Sequence, residues 1–571
     1  MGSGISFWEL RRSLHFTDIS GIQLSMLKRL VFLLAFGLVL NQGHSQNYSN
    51  QAQLSQRLKS LESSYSSWVK LQSLTKTVGG KDVWVLEIGG GDRASHPAIA
   101  VLGGVEGPHL LSQELAMGFA EKLLAGVQKD SIKDLLNTAA FYVFPSLSPD
   151  AAEQYFARPR YERSANSTPT DDDRDGGVNE DPFEDLNNDG LITTVRIEDP
   201  AGKWKTHPAD ERVLVMANAE KGERGKYILI SEGTDNDKDG KWNEDPEGGI
   251  HFNKSLTFDP PYFTPGAGEH PVSEAESRGL LDYLYTHFNV FAVVSFGPAN
   301  NLSESWKFDK SKTSQRIISG IMEGDATVNK MASELYKKYI TAKDAPAVAP
   351  SKGDFSQWAY FHYGRQSFST PGWWVPKFEL PKDSTAARKF KNNEDKNSDV
   401  DFLRWAEKDG LEVFVPWQKI NHPDYPGQPA ETGGFKPFVR LNPPFQQVDK
   451  LVAEHTQFLI SLAGKRPEVD LVNLKKESLE NGVTRLTVTV RNKGLFPAVA
   501  EIAQNNYWIK QVKITLSASK EQILSGNKVT LLPNLGAGES KELTWLVQGK
   551  DKITIEAGAP QTGFKKLDVG L

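Results

Sequence analysis

"VLGGVEGPHLLSQELAMGFAEKLL", Val101–Leu124, reads as a short apolar strand, a glycine turn and an amphipathic helix. Glu106 and His109 stand three apart in the turn, where an enzyme places metal ligands. Three readings are open at this point: a metal site, the remains of one, or a polar turn. The surrounding sequence narrows them.

From about Gln51 to Leu462 strand and helix signals alternate. Asp82–Ile88, Ala98–Gly103 and Ala140–Pro145 read as strands, and Ser112–Leu124 repeats apolar residues at helical spacing. "SEAESRGLLDYLYTH" opens with Ser273 and Glu276, a capping box that satisfies orphan helix-start amides. "VFAVVSF" after it has the length and β-branched content of a fully buried strand. This alternation predicts an α/β domain over residues 46–463 with a mostly parallel or mixed sheet. After "AGKRPEVD" the texture changes. "TRLTVTVRN", "WIKQVKITLSAS", "NKVTLLPNL", "KELTWLVQG" and "DKITIEAG" are period-2 segments between turn residues. They predict an all-β sandwich domain over 468–571. Catalytic residue types are sparse there, so it reads as a stabilising or binding module.

A chain of 571 residues exceeds one ordinary domain. Its formal charge of −6 comes without a basic stripe, which argues against a nucleic-acid partner. The absence of cysteine excludes disulfides, thiolate ligands, a thiol nucleophile and a lipidated cysteine. "MLKRLVFLLAFGLVLNQGHSQ" carries Lys28 and Arg29, an apolar run from Leu30 to Leu40, and small residues Gly43 and Ser45. It reads as a secretory signal peptide cut after Ser45, with Met26 as the true start and residues 1–25 as an upstream extension. Residues 1–45 are therefore set apart from the fold. The apolar run is too short to span a bilayer comfortably, so the mature protein is expected to be secreted or periplasmic, without an integral membrane anchor.

One frame repeats. "DDDRDGGVNEDP" (171–182) and "DNDKDGKWNEDP" (235–246) share D-x-D-x-D-G-x-x-N-E-D-P, and "DLNNDGLIT" (185–193) lies between them. Oxygen side chains at positions 1, 3 and 5 with Gly at 6 suit calcium. The candidates are Asp171, Asp173 and Asp175; Asp185, Asn187 and Asp189; and Asp235, Asp237 and Asp239. Position 12 is Pro182 or Pro246 where a bidentate Glu closes an EF-hand, so Glu180, Asp181, Glu244 or Asp245 must substitute. The bland alternative is an acidic solvated loop.

The order of these pieces resembles the zinc carboxypeptidase family, of the funnelin or carboxypeptidase A type, over roughly residues 51–462. The acidic inserts resemble those of its large secreted bacterial members. The resemblance implies an eight-stranded mixed sheet flanked by helices, with the active site at the strand ends. "GGVEGPH" stands at the family's Gly-x-His-x-x-Glu turn. "PSLSPDA" looks like its Asn-Pro-Asp-Gly segment, with Ser148, Pro149, Asp150 and Ala151. The family's spacing from Asp150 to two functional arginines lands on Arg160 and Arg163. "GGIHFNKS" looks like Gly-Val-Asp-Leu-Asn-Arg-Asn, and "SQWAYFHYGRQSFSTPGWW" like the late segment that carries the general base.

Carried over residue by residue, the resemblance implies a degenerate active site. The first His ligand falls on Glu106, the Glu ligand on His109, and the third ligand on Gly297, or Phe296 with a one-residue slip. A hydrolytic zinc needs three ligands and an open position. The general base falls on Pro371, which cannot move a proton. The pair that holds a substrate carboxylate falls on Asn253 and Lys254, and lysine lacks the bidentate fork of arginine. No tyrosine stands in the loop before Trp358, where the family has one over the substrate. Arg163 survives at the position that polarises the scissile carbonyl. The family's aspartate behind the first His falls on His251, so acid and imidazole have exchanged places. That implies a hydrogen-bonded Glu106–His251 pair with a raised histidine pKa. Alternatively, Glu106, His109 and His251 form a rebuilt zinc site. Three functions stay open: an exported pseudopeptidase whose cleft binds peptide or carboxylate ligands, an active zinc metallocarboxypeptidase with rearranged ligands, and a structural or adhesion module using the calcium loops and sandwich.

Overall fold

A computed structural model describes residues 47–172, 174–346, 348–377, 397–504, 506 and 508–571. The segment read as a signal peptide and Asp173 lie outside the described residues. Tyr48–Leu571 is one compact unit. Among the described residues no helix is long and apolar enough to cross a membrane.

The central sheet is built from β1 (Val69–Lys76), β2 (Asp82–Ile88), β3 (Ala98–Leu102), β4 (Ala140–Phe144), β5 (Val290–Phe296) and β6 (Gln366–Thr370). Its order is β1-β2-β4-β3-β5-β6. The pairs β1–β2 and β2–β4 are antiparallel, while β4–β3, β3–β5 and β5–β6 are parallel. Strands β3 to β6 are buried at every residue, which explains the apolar runs of β3, β4 and β5; β6, Gln-Ser-Phe-Ser-Thr, is buried although mostly polar. Alternation divides them between two cores. Ile99, Val101, Val143 and Val294 face the helices Leu110–Ala125 (α2) and Val448–Ala463, with Gln51–Ser64 (α1) beside them. Ala98, Ala100, Tyr142 and Val293 face Ala275–Thr286 (α3) and Phe355–Phe361.

The central sheet has six strands among the described residues, where the resemblance implies eight. The other extended segments of this region pair with one another in a separate antiparallel sheet. Its order is Phe414–Ile420, Ala430–Phe435, Thr194–Glu198, Tyr227–Ser231, Trp204–His207 and Asp210–Met216. The capping box also differs. The N-cap of α3 is Glu274, Ser273 Oγ donates to the Glu274 carboxylate, and Glu276 accepts from Asn166. The Asn166 amide, from a distant loop, has captured the side chain that was expected to cap the helix.

The C-terminal region is strand-rich and antiparallel. One four-stranded sheet orders Val469–Ser478, Val483–Asn492, Ser540–Gln548 and Ile523–Ser525. The other orders Val529–Leu532, Val512–Leu516, Lys552–Ala559 and Gly563–Gly570. Leu486, Val488 and Trp545 from the first meet Ile514, Ile555 and Val569 from the second in one apolar cluster. Asp325, in the helix Glu323–Tyr339, ties this region to the α/β layer. It accepts the backbone N–H of Glu501 and Ile502 as well as Tyr360 Oη and Gln366 Nε2.

Candidate functional site

The parallel neighbours β3, β5 and β6 end at one edge, and the chain leaves them at Gly103, Gly297 and Pro371. In α/β sheets that edge is where ligands bind. The turn after β3 is tight. A Cβ on Gly103 would lie 2.4 Å from the Ser112 carbonyl oxygen and 2.6 Å from that of Pro145. Gly104 has φ +63°, and its N–H donates to Ser112 Oγ at 2.8 Å. These constraints deliver Glu106 to the cleft and His109 to the start of α2.

Glu106 Oε1 accepts from Asn253 Nδ2 at 2.8 Å, and Asn253 Oδ1 accepts the Phe355 N–H at 2.9 Å. Burial raises the Glu106 carboxyl, and the Asn253 bond and the Lys254 charge oppose that shift. The expected Glu106–His251 pair is therefore corrected. A neutral amide two residues along fills the carboxylate's need without placing a second charge beside it. The His251 ring packs on Gly266, whose Cβ would come within 2.6 Å of the ring, and burial followed by Lys254 lowers its pKa to about 4. The shift runs opposite to the one an ion pair produces.

His109 is buried, and burial lowers it to about 4. The neighbouring Pro371 carbonyl opposes that shift. Across the strand ends, the place for a side chain on Gly297 is taken: a Cβ there would lie 2.6 Å from Cγ2 of buried Val105. Phe296, the one-residue alternative, is wholly buried in the apolar core.

The two arginines are used elsewhere. Arg163 Nε donates to the Ala165 carbonyl at 3.0 Å, and Nη2 to the Asn166 carbonyl at 2.7 Å and to Ser167 Oγ at 3.2 Å. It clamps its own loop, which corrects the substrate-binding role. Arg160 lies over the Tyr155 ring at 4.6 Å, and neither arginine lines the cleft. Asn253 is likewise committed at both ends of its amide. Lys254 does line the cleft, with Nζ 3.4 Å from the Pro265 carbonyl. Asp150 is an anchor, accepting from Thr77 Oγ1 at 2.7 Å and from the Gly79 N–H at 3.0 Å.

The cleft has a volume of about 1080 Å³. Glu106, His109, His251 and Lys254 line it together with Trp373, Trp374, Phe402 and Arg440. Sequence reading missed these last four. The Trp doublet directly after Pro371 was the available signal, whereas Phe402 and Arg440 arrive from distant segments. Arg440 pairs with Asp399 at 2.8 Å and lies 4.0 Å over Phe435.

The acidic repeats form a second cluster. Both loops turn alike, with left-handed φ at Arg174 (71°) and Lys238 (69°) and at Asn179 and Asn243 (57° each). They also brace each other by exchange. Asp181 accepts the N–H of Asn236 at 3.0 Å and that of Asn243, while Asp245 accepts the N–H of Asp172 at 3.4 Å and of Asn179 at 2.9 Å. Asp235, Asp237 and Asp239 bring carboxylate oxygens within 4.8 Å of one another. Burial and the Asp181 carboxylate raise Glu244 to about 7, and burial and Asp245 do the same for Glu180. In the intervening loop Asp185 accepts the N–H groups of Asp189 and Gly190.

Comparison with known proteins agrees with this fold. Residues 54–391 match the family model described as zinc carboxypeptidase, and the chain belongs to that family. Residues 468–570 match a domain of unknown function (DUF8731). Carboxypeptidase M of Mus musculus is 29% identical over 110 residues, 19% of this chain and 25% of that protein. Carboxypeptidase E of Caenorhabditis elegans is 29% identical over 112 residues, 19% of this chain and 24% of that one. The chain thus spans about a quarter of the length of these curated relatives. Among solved structures, thrombin activatable fibrinolysis inhibitor has a TM-score of 0.39 and 12% identity, covering 74% of this chain and 75% of that one. Carboxypeptidase A from Helicoverpa armigera has a TM-score of 0.36 and 12% identity, covering 68% and 80%.

The family implies zinc, and the residues at the strand ends do not fit it. Glu106, His109 and His251 are not among the donor groups that converge within 4.8 Å among the described residues. Val105 fills the space beside Gly297, where the resemblance puts the third ligand, and a carbonyl, that of Pro371, is the polar neighbour of His109. The rebuilt zinc triad is corrected accordingly: His109 and His251 each turn to a separate neighbour.

Proposed function

We propose that this chain is an exported carboxypeptidase-fold protein without peptidase activity, whose cleft binds peptides or other carboxylate-bearing ligands. The observation that carries the reading is the filled third-ligand position, with Val105 Cγ2 lying 2.6 Å from where a Gly297 Cβ would stand. The lack of a proton-transferring side chain at Pro371 supports it, because a general base supplies roughly 10²–10⁴ in rate. Lys254 is the cleft cation best placed for a ligand carboxylate, and Trp373, Trp374 and Phe402 offer apolar area for neighbouring side chains. The C-terminal sandwich acts as a stabilising module docked through Asp325.

The test is a titration of short peptides with free and amidated C-termini, followed by the fluorescence of the cleft tryptophans and by mass spectrometry. Saturable binding of free-carboxylate peptides, weakened by Lys254→Gln and leaving the peptide intact, is the expected result. Release of C-terminal residues would count against the reading, as would equal binding of the amidated peptides.

A further inference from the structure

We infer that the Tyr336 hydroxyl is a positioning group for the cleft, which rests on the cleft being the ligand site. Held in one orientation by His455, it fixes Thr370, and through Thr370 the turn that carries Pro371, Trp373 and Trp374. None of Tyr336, His455 and Thr370 lines the cleft, and all three are buried. They arrive from separate segments: Tyr336 near the end of the helix Glu323–Tyr339, His455 from Val448–Ala463, and Thr370 from the end of β6. The direction of each hydrogen bond follows from the first. His455 Nδ1 lies 2.7 Å from the Leu451 carbonyl, which can only accept, so that nitrogen carries the proton. Burial lowers the ring's pKa to about 4 and keeps it neutral, which leaves Nε2 as an acceptor. The Tyr336 hydroxyl, 3.3 Å away, donates to it. Its proton spent, the Tyr336 oxygen accepts the Thr370 hydroxyl at 2.8 Å. Thr370 Oγ1 in turn accepts the Gly372 N–H at 3.2 Å.

The end of that relay places the cleft wall. Pro371 has no N–H to tether the turn, so the tether falls to the next residue. Gly372 has φ +73°, and its N–H turns back onto Thr370. A Cβ at Gly372 would run into Leu115 of α2, so the turn is packed as well as bonded. Trp373 and Trp374 leave it directly into the cleft, and Trp374 Nε1 donates to the Lys343 carbonyl at 2.8 Å. The other end of β6 is fastened to the same helix, through Gln366 Nε2 on Asp325 at 2.6 Å. Buried polar groups gain little stability over a well-packed apolar set. What a satisfied network supplies is a single defined arrangement, here of the turn that presents two indoles to the ligand.

The test labels the protein with 5-fluorotryptophan and assigns the Trp373 and Trp374 resonances from the Trp373→Phe and Trp374→Phe variants. Spectra are recorded without ligand and during titration with the tripeptide Ala-Ala-Phe carrying a free C-terminus. Tyr336→Phe and Thr370→Val keep the side-chain shape and remove one hydroxyl each. Both should split or broaden the two resonances before any ligand is added, and weaken the tripeptide by about tenfold, the order of one hydrogen bond. Thr370→Ser keeps the hydroxyl and should leave the resonances single and the affinity close to wild type. A melting temperature that falls in the hydroxyl-less variants while the resonances stay unchanged would overturn the positioning role. So would changed resonances with undiminished affinity, or a His455 ring found protonated at Nε2 by nitrogen NMR. A wild-type protein that ignores the tripeptide would count against the ligand-binding reading instead, and the ligand-free resonances would still decide whether Tyr336 sets the turn.

Discussion

Replacing Gly297 by histidine would supply the missing family ligand by residue type, and the structure predicts that the fold resists it. Gly297 has no left-handed φ, so the backbone tolerates a side chain. The obstacle is Val105, only 3% exposed, whose Cγ2 lies 2.6 Å from the new Cβ. That is well inside an ordinary carbon–carbon separation of about 3.5–4.0 Å. Forcing extra volume into such a position costs about 1–3 kcal/mol, and an imidazole belongs at the upper end. Val105→Ala alone removes buried methyl groups worth about 1.5 kcal/mol in transfer, with a cavity term added. The double variant relieves the clash and fills the cavity at once, so its cost should fall short of the sum by about 1–3 kcal/mol, the range for residues in contact. Urea midpoints of the wild type, both singles and the double measure this coupling directly. Costs that add within about 0.5 kcal/mol would refute the claim that Val105 occupies the ligand's place.

Three other outcomes follow from the same geometry. His109 titrates near 4 in the folded state against about 6.5 unfolded, so its contribution is full above pH 6.5 and is lost as pH falls through 4. Compared with wild type, His109→Gln should lose about 3 kcal/mol less stability between those values in pH-dependent denaturation; identical profiles would mean that the imidazole is not buried neutral. Asn253→Ala should cost about 1–3 kcal/mol because it strands both Glu106 and the Phe355 amide, whereas Glu106→Gln, which keeps an acceptor for Asn253, should stay under about 1 kcal/mol. Asp325→Ala removes the acceptor of four hydrogen bonds and should cost about 3 kcal/mol or more; limited proteolysis should then cut near residue 465, a change absent if the C-terminal region is held by its apolar contacts alone.

What was legible in the sequence was what depends on periodicity. "VFAVVSF" became β5 with its residues intact, and every C-terminal period-2 segment became a strand, because alternation and β-branching report burial directly. The separate sheet running from Thr194 to Phe435 was not legible, since its six strands join segments more than two hundred residues apart. The cleft was half legible. Gly297 and Pro371, where the resemblance implies a ligand and a base, do stand just past the ends of β5 and β6. The partners of the survivors are decided by tertiary contacts: Asn253 rather than His251 reaches Glu106, and Arg163 turns back on its own loop. Val105 had no signal at all, because an apolar residue in a glycine turn carries no mark of where its methyl groups point.

We propose that the strand ends do not form a zinc hydrolytic centre. This is tested by the zinc content of the purified protein after incubation with excess zinc and dialysis, with release of C-terminal residues from a peptide library assayed on the same sample. The expected result is no zinc whose retention depends on His109 and no released residues. One zinc per chain, retained by wild type but lost together with peptide release in His109→Ala, would contradict it.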